Sequence, residues 1–157
     1  MKILICPIKR LYQILSENAP GNCCAVISSS AEIDNNKLHK IPYIFRCYDD
    51  LDYDCPGRSI SGEDAAAFAA FLRNQAPGID TLYCCCDAGE SRSPAVAAAV
   101  MRWLEMDDLV IWRNPRYHPN MLVFEKLSQA LKKPVSDGEL DLRLYENQKA
   151  FRDTIRR

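Results

Sequence analysis

The segment Cys86-Asp87-Ala88-Gly89-Glu90-Ser91-Arg92-Ser93 places five residues between a thiol and a guanidinium, with a hydroxyl directly after. A cysteine thiolate is a strong nucleophile. An arginine presents a planar fork that matches two oxygens of a phosphate. The flanks give these groups a setting. Upstream, residues 79–85 form a short apolar run that reads as a buried strand. Downstream, residues 94–104 read as a helix with Pro94 in its first turn. The loop between them therefore runs from a strand end to a helix N-terminus. That geometry gathers free backbone N–H groups and the positive end of a helix dipole, which favour a thiolate and an oxyanion alike. Nucleophilic attack on a phosphate ester is the chemistry this combination suits.

A second group of ionisable residues precedes it. The segment 49–58 carries Asp49, Asp50, Asp52 and Asp54, and reads as a loop at the end of a strand. One or two of these carboxyls would do chemistry, and the rest would form a solvated surface. Farther on, Trp112, Arg113, Arg116, Tyr117 and His118 read as a packed connector in preference to a substrate-recognition rim. Glu90 and Ser91 read as outward-pointing loop residues. Phe68, Phe71 and Leu72 have helical spacing and belong to the core.

The elements that must hold these groups follow from periodicity and punctuation. Residues 2–6, 23–28, 41–48 and 79–85 read as strands, rich in branched, aromatic and cysteine side chains. Residues 8–17 have apolar positions at 8, 11, 14 and 15, a helical spacing. Ser61, with Asp64 three residues later, signals a capped helix that stops near Pro77-Gly78. Pro119-Asn120 opens another helix, 121–131, which Pro134 breaks. Residues 137–157 are left open between a docking helix and a frayed tail. Strands alternating with helices predict an α/β fold: a central, mostly parallel sheet of four to five strands flanked by helices on both faces. Sites in such sheets lie beyond the carboxyl ends of the strands. Both the acidic loop and the cysteine loop would meet there.

Composition bounds the rest. The 157 residues are 48% hydrophobic, which suits one domain over 1–157 with its own core. The net charge of −1 gives no field that would recruit nucleic acid or a membrane surface. No apolar run approaches the roughly 20 residues of a membrane span, and the start lacks the features of an export signal. The 8 cysteines cluster inside apolar runs, as small buried hydrophobes in a reducing compartment do. The expectation is a cytoplasmic monomer. Paired Cys-x-x-Cys spacing is absent, and His39 and His118 lie far from the cysteine clusters, so no zinc site is expected.

The loop resembles the Cys-x-x-Gly-x-x-Arg-Ser form of the signature of cysteine-based protein tyrosine phosphatases, and is most similar to the small dual-specificity-like branch with its bacterial members. Residues 119–127, Pro119-Asn120-Met121-Leu122-Val123-Phe124-Glu125-Lys126-Leu127, resemble the Pro-Asn-initiated helix of that branch. The aspartate loop is a third, looser match, and together the three cover about residues 23–131. The resemblance implies that Cys86 accepts the phosphoryl group and that Arg92 grips its equatorial oxygens. It implies that the backbone N–H groups of Asp87, Ala88, Gly89, Glu90, Ser91 and Arg92 line the cradle, and that Ser93 hydrogen-bonds the sulfur. A loop aspartate would protonate the leaving group and then activate water. Asp50 ranks first, at the strand end where the family keeps its acid. Asp54 ranks second, by its spacing to the cysteine, with Asp49 and Asp52 left open. No metal or cofactor is implied.

One departure stands out. The family usually has His before the nucleophile, and this chain has Cys85. A nearby thiol offers a redox partner for Cys86, and Cys47, taken to lie on the neighbouring strand, suits that better than the adjacent Cys85. Buried core cysteines are the plainer reading of both. Other phosphate-binding architectures fit less well. The low-molecular-weight tyrosine phosphatases and arsenate reductases place the loop after the first strand with the acid downstream. Sulfurtransferases lack the Arg-Ser ending. A catalytically weak phosphate-binding pseudophosphatase stays open, as do phosphoinositide and nucleotide substrates. A phosphorylated protein or small aryl phosphomonoester is the favoured substrate class.

Overall fold

The computed structural model describes residues 1–157. Its strands are β1 (Lys2–Pro7), β2 (Cys23–Ser29), β3 (Tyr43–Cys47) and β4 (Thr81–Cys86). Its helices are α1 (Ile8–Glu17), α2 (Gly62–Gln75), α3 (Arg92–Trp103), α4 (Leu109–Trp112), α5 (Met121–Ala130) and α6 (Asp137–Ile155). Single 3-10 turns occur at Asn35–Lys37 and Ala76–Gly78.

The four strands form one parallel sheet in the order β1-β4-β2-β3. The two-residue alternation of strand side chains divides the core into two layers. Cys24 and Val26 of β2 and Leu82 and Cys84 of β4 point to the side covered by α2, α3 and α5. Cys23, Ala25, Ile27 and Cys85 point to the other side, where Ile8, Leu11 and Leu15 of α1 close the layer. Helix α3 is buried along Arg92–Met101, and its run of alanines lets it pass close between the sheet and α5.

Helix starts follow the sequence signals. Ser61 and Asp64 make a full capping box on α2, and Ser136 and Glu139 make another on α6. Asn120 caps α5 through its side-chain oxygen. The strand read over 41–48 is shorter, because Pro42 has no N–H to give; its carbonyl still accepts from Ala25 N–H at 3.1 Å.

Residues 137–155 resolve as a helix, not a frayed end. Arg143 on α6 makes two 2.7 Å hydrogen bonds to Asp108, and both side chains are buried. Trp112 donates to the same carboxylate at 3.1 Å and packs edge-on against Phe124, with ring centroids 5.1 Å apart. Trp112 is therefore core, as the connector reading expected. No helix is long and apolar enough to cross a membrane.

Candidate active site

Three strand ends supply the site. The loop 87–91 follows β4, Ser30 follows β2, and Tyr48 to Asp50 follow β3. Being parallel, the strands deliver all three to one edge of the sheet.

Cys86 is the last residue of β4, with its sulfur buried at the loop's floor. The Ser93 hydroxyl lies 3.0 Å from Sγ, and the Gly89 N–H donates to it at 3.2 Å. Gly89 holds a positive φ of 73°. A Cβ there would come within 2.7 Å of Pro7 N and 2.9 Å of the Cys6 carbonyl carbon. Only glycine lets the loop pass this close to the end of β1. Ser91 precedes α3 without capping it, so the helix's first N–H groups face the loop unclaimed by a side chain.

Arg92 begins α3 and is buried. Its Nη1 donates to the Ser30 hydroxyl at 2.9 Å and to the Tyr48 carbonyl at 2.8 Å. Its Nη2 donates to Asp87 at 2.6 Å, and its Nε has no partner. A buried guanidinium N–H without a protein partner, next to the uncapped start of α3, is suited to holding an oxyanion. Burial raises the Asp87 carboxyl, but hydrogen bonds from Ser29, Ser30 and Arg92 outweigh it and hold the group below the usual carboxylate range. Tyr48 is fixed from behind by a 2.7 Å hydrogen bond between its hydroxyl and Ser28, and burial pushes its phenol up.

The four aspartates go to different places. Asp50 Oδ1 accepts from the Ser91 hydroxyl at 2.9 Å and from Asn120 Nδ2 at 2.8 Å. A cleft of 330 Å³ beside it is lined by Asp52, Ser91, His118 and Asn120 among others. Asp49 pairs with Arg58 at 3.0 Å. Asp54 pairs with Lys126 at 2.5 Å. Asp52 is exposed.

Two expectations change. Ser91 is not loop filler, since its hydroxyl ties the cysteine loop to Asp50. Cys47 is not on the strand next to Cys86, because β2 lies between β3 and β4. The chain order of the strands hid this, since β4 inserts between β1 and β2. The thiol nearest Cys85 is instead Cys6, its partner across the β1–β4 ladder, with sulfurs 3.5 Å apart.

The side chains of Ser29, Ser30, Tyr48 and Asn120 were not singled out from sequence. The Pro119-Asn120 motif was the one available signal. Asn120 uses its oxygen to cap α5 and its nitrogen to hold Asp50 and the Leu51 carbonyl. The backbone of this connector also braces the loop: His118 N–H donates to the Glu90 carbonyl at 2.9 Å and Asn120 N–H to the Ser91 carbonyl at 3.1 Å.

No family model matches the sequence, and no curated protein matches it. Solved structures do match its shape. PTP-2 phosphatase of Cydia pomonella superposes with a TM-score of 0.56 at 17% identity, over 82% of this chain and 85% of that one. PTPMT1 in complex with PI(5)P gives 0.53 at 16% identity, over 90% and 94%. The Yvh1 phosphatase domain from Chaetomium thermophilum gives 0.51 at 15%, over 81% and 88%. The parallel sheet, the strand–loop–helix that carries Cys86 and Arg92, and these likenesses agree: the chain has the fold of the small cysteine-based tyrosine and dual-specificity phosphatases.

Proposed function

We propose that this chain is a cysteine-dependent phosphomonoester hydrolase acting through a cysteinyl-phosphate intermediate. The observation that carries the reading is the arrangement around Cys86. Its sulfur receives a hydrogen bond from the Gly89 N–H and lies 3.0 Å from the Ser93 hydroxyl, and Arg92 holds a buried, unpartnered N–H in the same loop. The loop's N–H groups with Arg92 offset the charge of the phosphoryl oxygens.

In the first step the Cys86 thiolate attacks phosphorus, and the ester oxygen leaves with a proton from Asp50. Asp50 suits this because Oδ1 is held by Ser91 and Asn120, which leaves Oδ2 without a protein partner and able to carry the proton. In the second step Asp50 takes a proton from water, the water oxygen bonds to phosphorus, and the S–P bond breaks. Ser93 donates to the departing sulfur. Asp54, in its ion pair with Lys126, is the weaker candidate for the acid.

A phosphotyrosine protein or small aryl ester is the substrate class this site favours. Asp50, Asp52 and Glu90 border the loop, and Arg116 is the cation on that rim free of an ion pair. A polyanionic headgroup meets little compensating charge there. Residues 1–157 read as one domain, because the buried Arg143–Asp108 pair docks α6 onto the body.

The test is turnover of para-nitrophenyl phosphate at mildly acidic pH, abolished by Cys86→Ser. A phosphotyrosine peptide and PI(5)P in vesicles should then be compared by kcat/KM, with the peptide favoured. Absence of turnover of any aryl phosphate by the wild type would overturn the reading.

A further inference from the structure

The Arg92 guanidinium is largely committed before any ligand arrives. It has five N–H hydrogens. Two, on Nη1, go to the Ser30 hydroxyl and the Tyr48 carbonyl. One, on Nη2, goes to Oδ2 of Asp87 at 2.6 Å. Two remain, one on Nε and one on Nη2. These atoms share the side-on edge of the guanidinium, the fork that meets two oxygens of an oxyanion.

Asp87 is itself held. The Ser29 hydroxyl donates to Oδ1 at 2.6 Å and the Ser30 N–H donates to Oδ2 at 3.2 Å. Both serines lie at the end of β2, and Asp87 directly follows Cys86. The carboxylate thus links three things: the β2 end, the nucleophile's own loop and the guanidinium. An arginine side chain left free would lose rotamer entropy on gripping a ligand. Anchoring it beforehand removes that loss from the binding step.

We propose that the Asp87 carboxylate is a positioning residue, fixing the Arg92 guanidinium so that its Nε–Nη2 edge faces the phosphoryl group bound over Cys86. The proposal rests on the phosphatase reading of the site. The side chain of Asp87 touches neither substrate nor sulfur in this role and acts through Arg92 alone. A purely structural role, tying the loop to β2 through Ser29, involves no contact with Arg92, and this separates the two.

The experiment is a double-mutant cycle read by tungstate binding, an oxyanion that needs no turnover, on the full chain. Calorimetry should be carried to millimolar tungstate for the wild type, Asp87→Ala, Arg92→Ala and the double variant. Asp87→Ala should raise the tungstate Kd by about tenfold, the scale of one charge-assisted hydrogen bond. In the Arg92→Ala background the same change should alter Kd by less than about twofold. Asp87→Asn keeps an acceptor for Nη2 and should recover part of the loss; if Asp87→Ala does not fold, Asp87→Asn takes its place in the cycle.

An equal loss in both backgrounds, or no loss in the wild-type background, would overturn the proposal. The phosphatase reading fails separately. A wild type that binds tungstate through Asp87 and Arg92 but hydrolyses no aryl phosphate retains the positioning role and loses the enzymatic one. A wild type that turns over while the cycle is additive does the reverse.

Discussion

The carboxylate of Asp50 lies 2.9 Å from the hydroxyl of Ser91, so the aspartate loop and the cysteine loop are joined side chain to side chain. Asp54, four residues on, reaches Lys126 instead. Asp50→Asn should lower kcat toward para-nitrophenyl phosphate by about a hundredfold, the scale of a positioned general acid. Asp54→Asn, which breaks an exposed pair, should stay within about twofold. Steady-state kinetics of the two variants decide between them, and the reverse order would move the acid to Asp54.

Asn120 serves a helix and a loop with one amide, and the two services can be separated. Serine keeps an oxygen for the α5 cap but is too short to reach Asp50 and Leu51. Asn120→Ser should reduce kcat by about tenfold while costing about 1 kcal/mol of stability or less. Asn120→Ala should lose both. Kinetics and thermal melts on the same preparations give the comparison.

Gly89→Ala puts a methyl group against two backbone atoms that have no rotamer to move. With the positive φ added, a cost of about 1–3 kcal/mol is expected. The loop would shift outward, carrying the N–H that Cys86 accepts. Tungstate affinity should fall together with the melting temperature, whereas Gly62→Ala, where nothing lies within 4 Å, should leave tungstate affinity unchanged.

Three ion pairs hold α6, and the worth of two of them should differ sharply. Arg143–Asp108 is buried and bidentate, while Arg113–Glu146 sits in an exposed position at 3.1 Å. Arg143→Ala leaves a buried carboxylate without its cation and should cost about 3–5 kcal/mol. Arg113→Ala should cost about 1 kcal/mol or less. Urea denaturation of both variants measures this.

Stability should also depend on acid through Glu139. The backbone N–H of Ser136 and then the Arg102 side chain pull its carboxyl down to about 2. A carboxyl lowered in the folded state stabilises above its unfolded value and loses that contribution as pH falls through the folded one. The relevant window is therefore from about pH 4.3 down to about 2. Glu139 is 40% exposed, so solvent screening limits the effect to about 1 kcal/mol. Melting curves across this window should be steeper for the wild type than for Glu139→Gln.

Much of the fold was legible because its signals are local. The apolar run Cys23 to Ile27 marks a strand, and the spacing of Ile8, Leu11 and Leu15 marks the face of α1 that meets the sheet. The cysteine loop was legible because a short segment carries cysteine, glycine turn and arginine together. Strand order was not, since nothing in Cys47 or Cys6 says which of them lies nearer β4; pairing is settled by packing of whole layers. Contacts made by common polar residues were equally hidden. Ser30 meets Arg92 across 62 positions and Asn120 meets Asp50 across 70, distances at which neither a serine nor the Pro-Asn motif names its partner.

The place of β4 in the sheet also bears on how the molecule comes into being. Both its neighbours, β1 and β2, are synthesised before it, and they do not pair with each other. Until Thr81–Cys86 is available, each keeps an open strand edge, a template for wrong partners. Ladders that join Lys2 to Thr81 and Cys23 to Thr81 close long stretches of chain, which makes folding slow. The strand that zips the sheet together ends in Cys86, so the Cys86 thiol reaches its place only as the two halves of the sheet are united. A chain released before that point would be an aggregation hazard without a site.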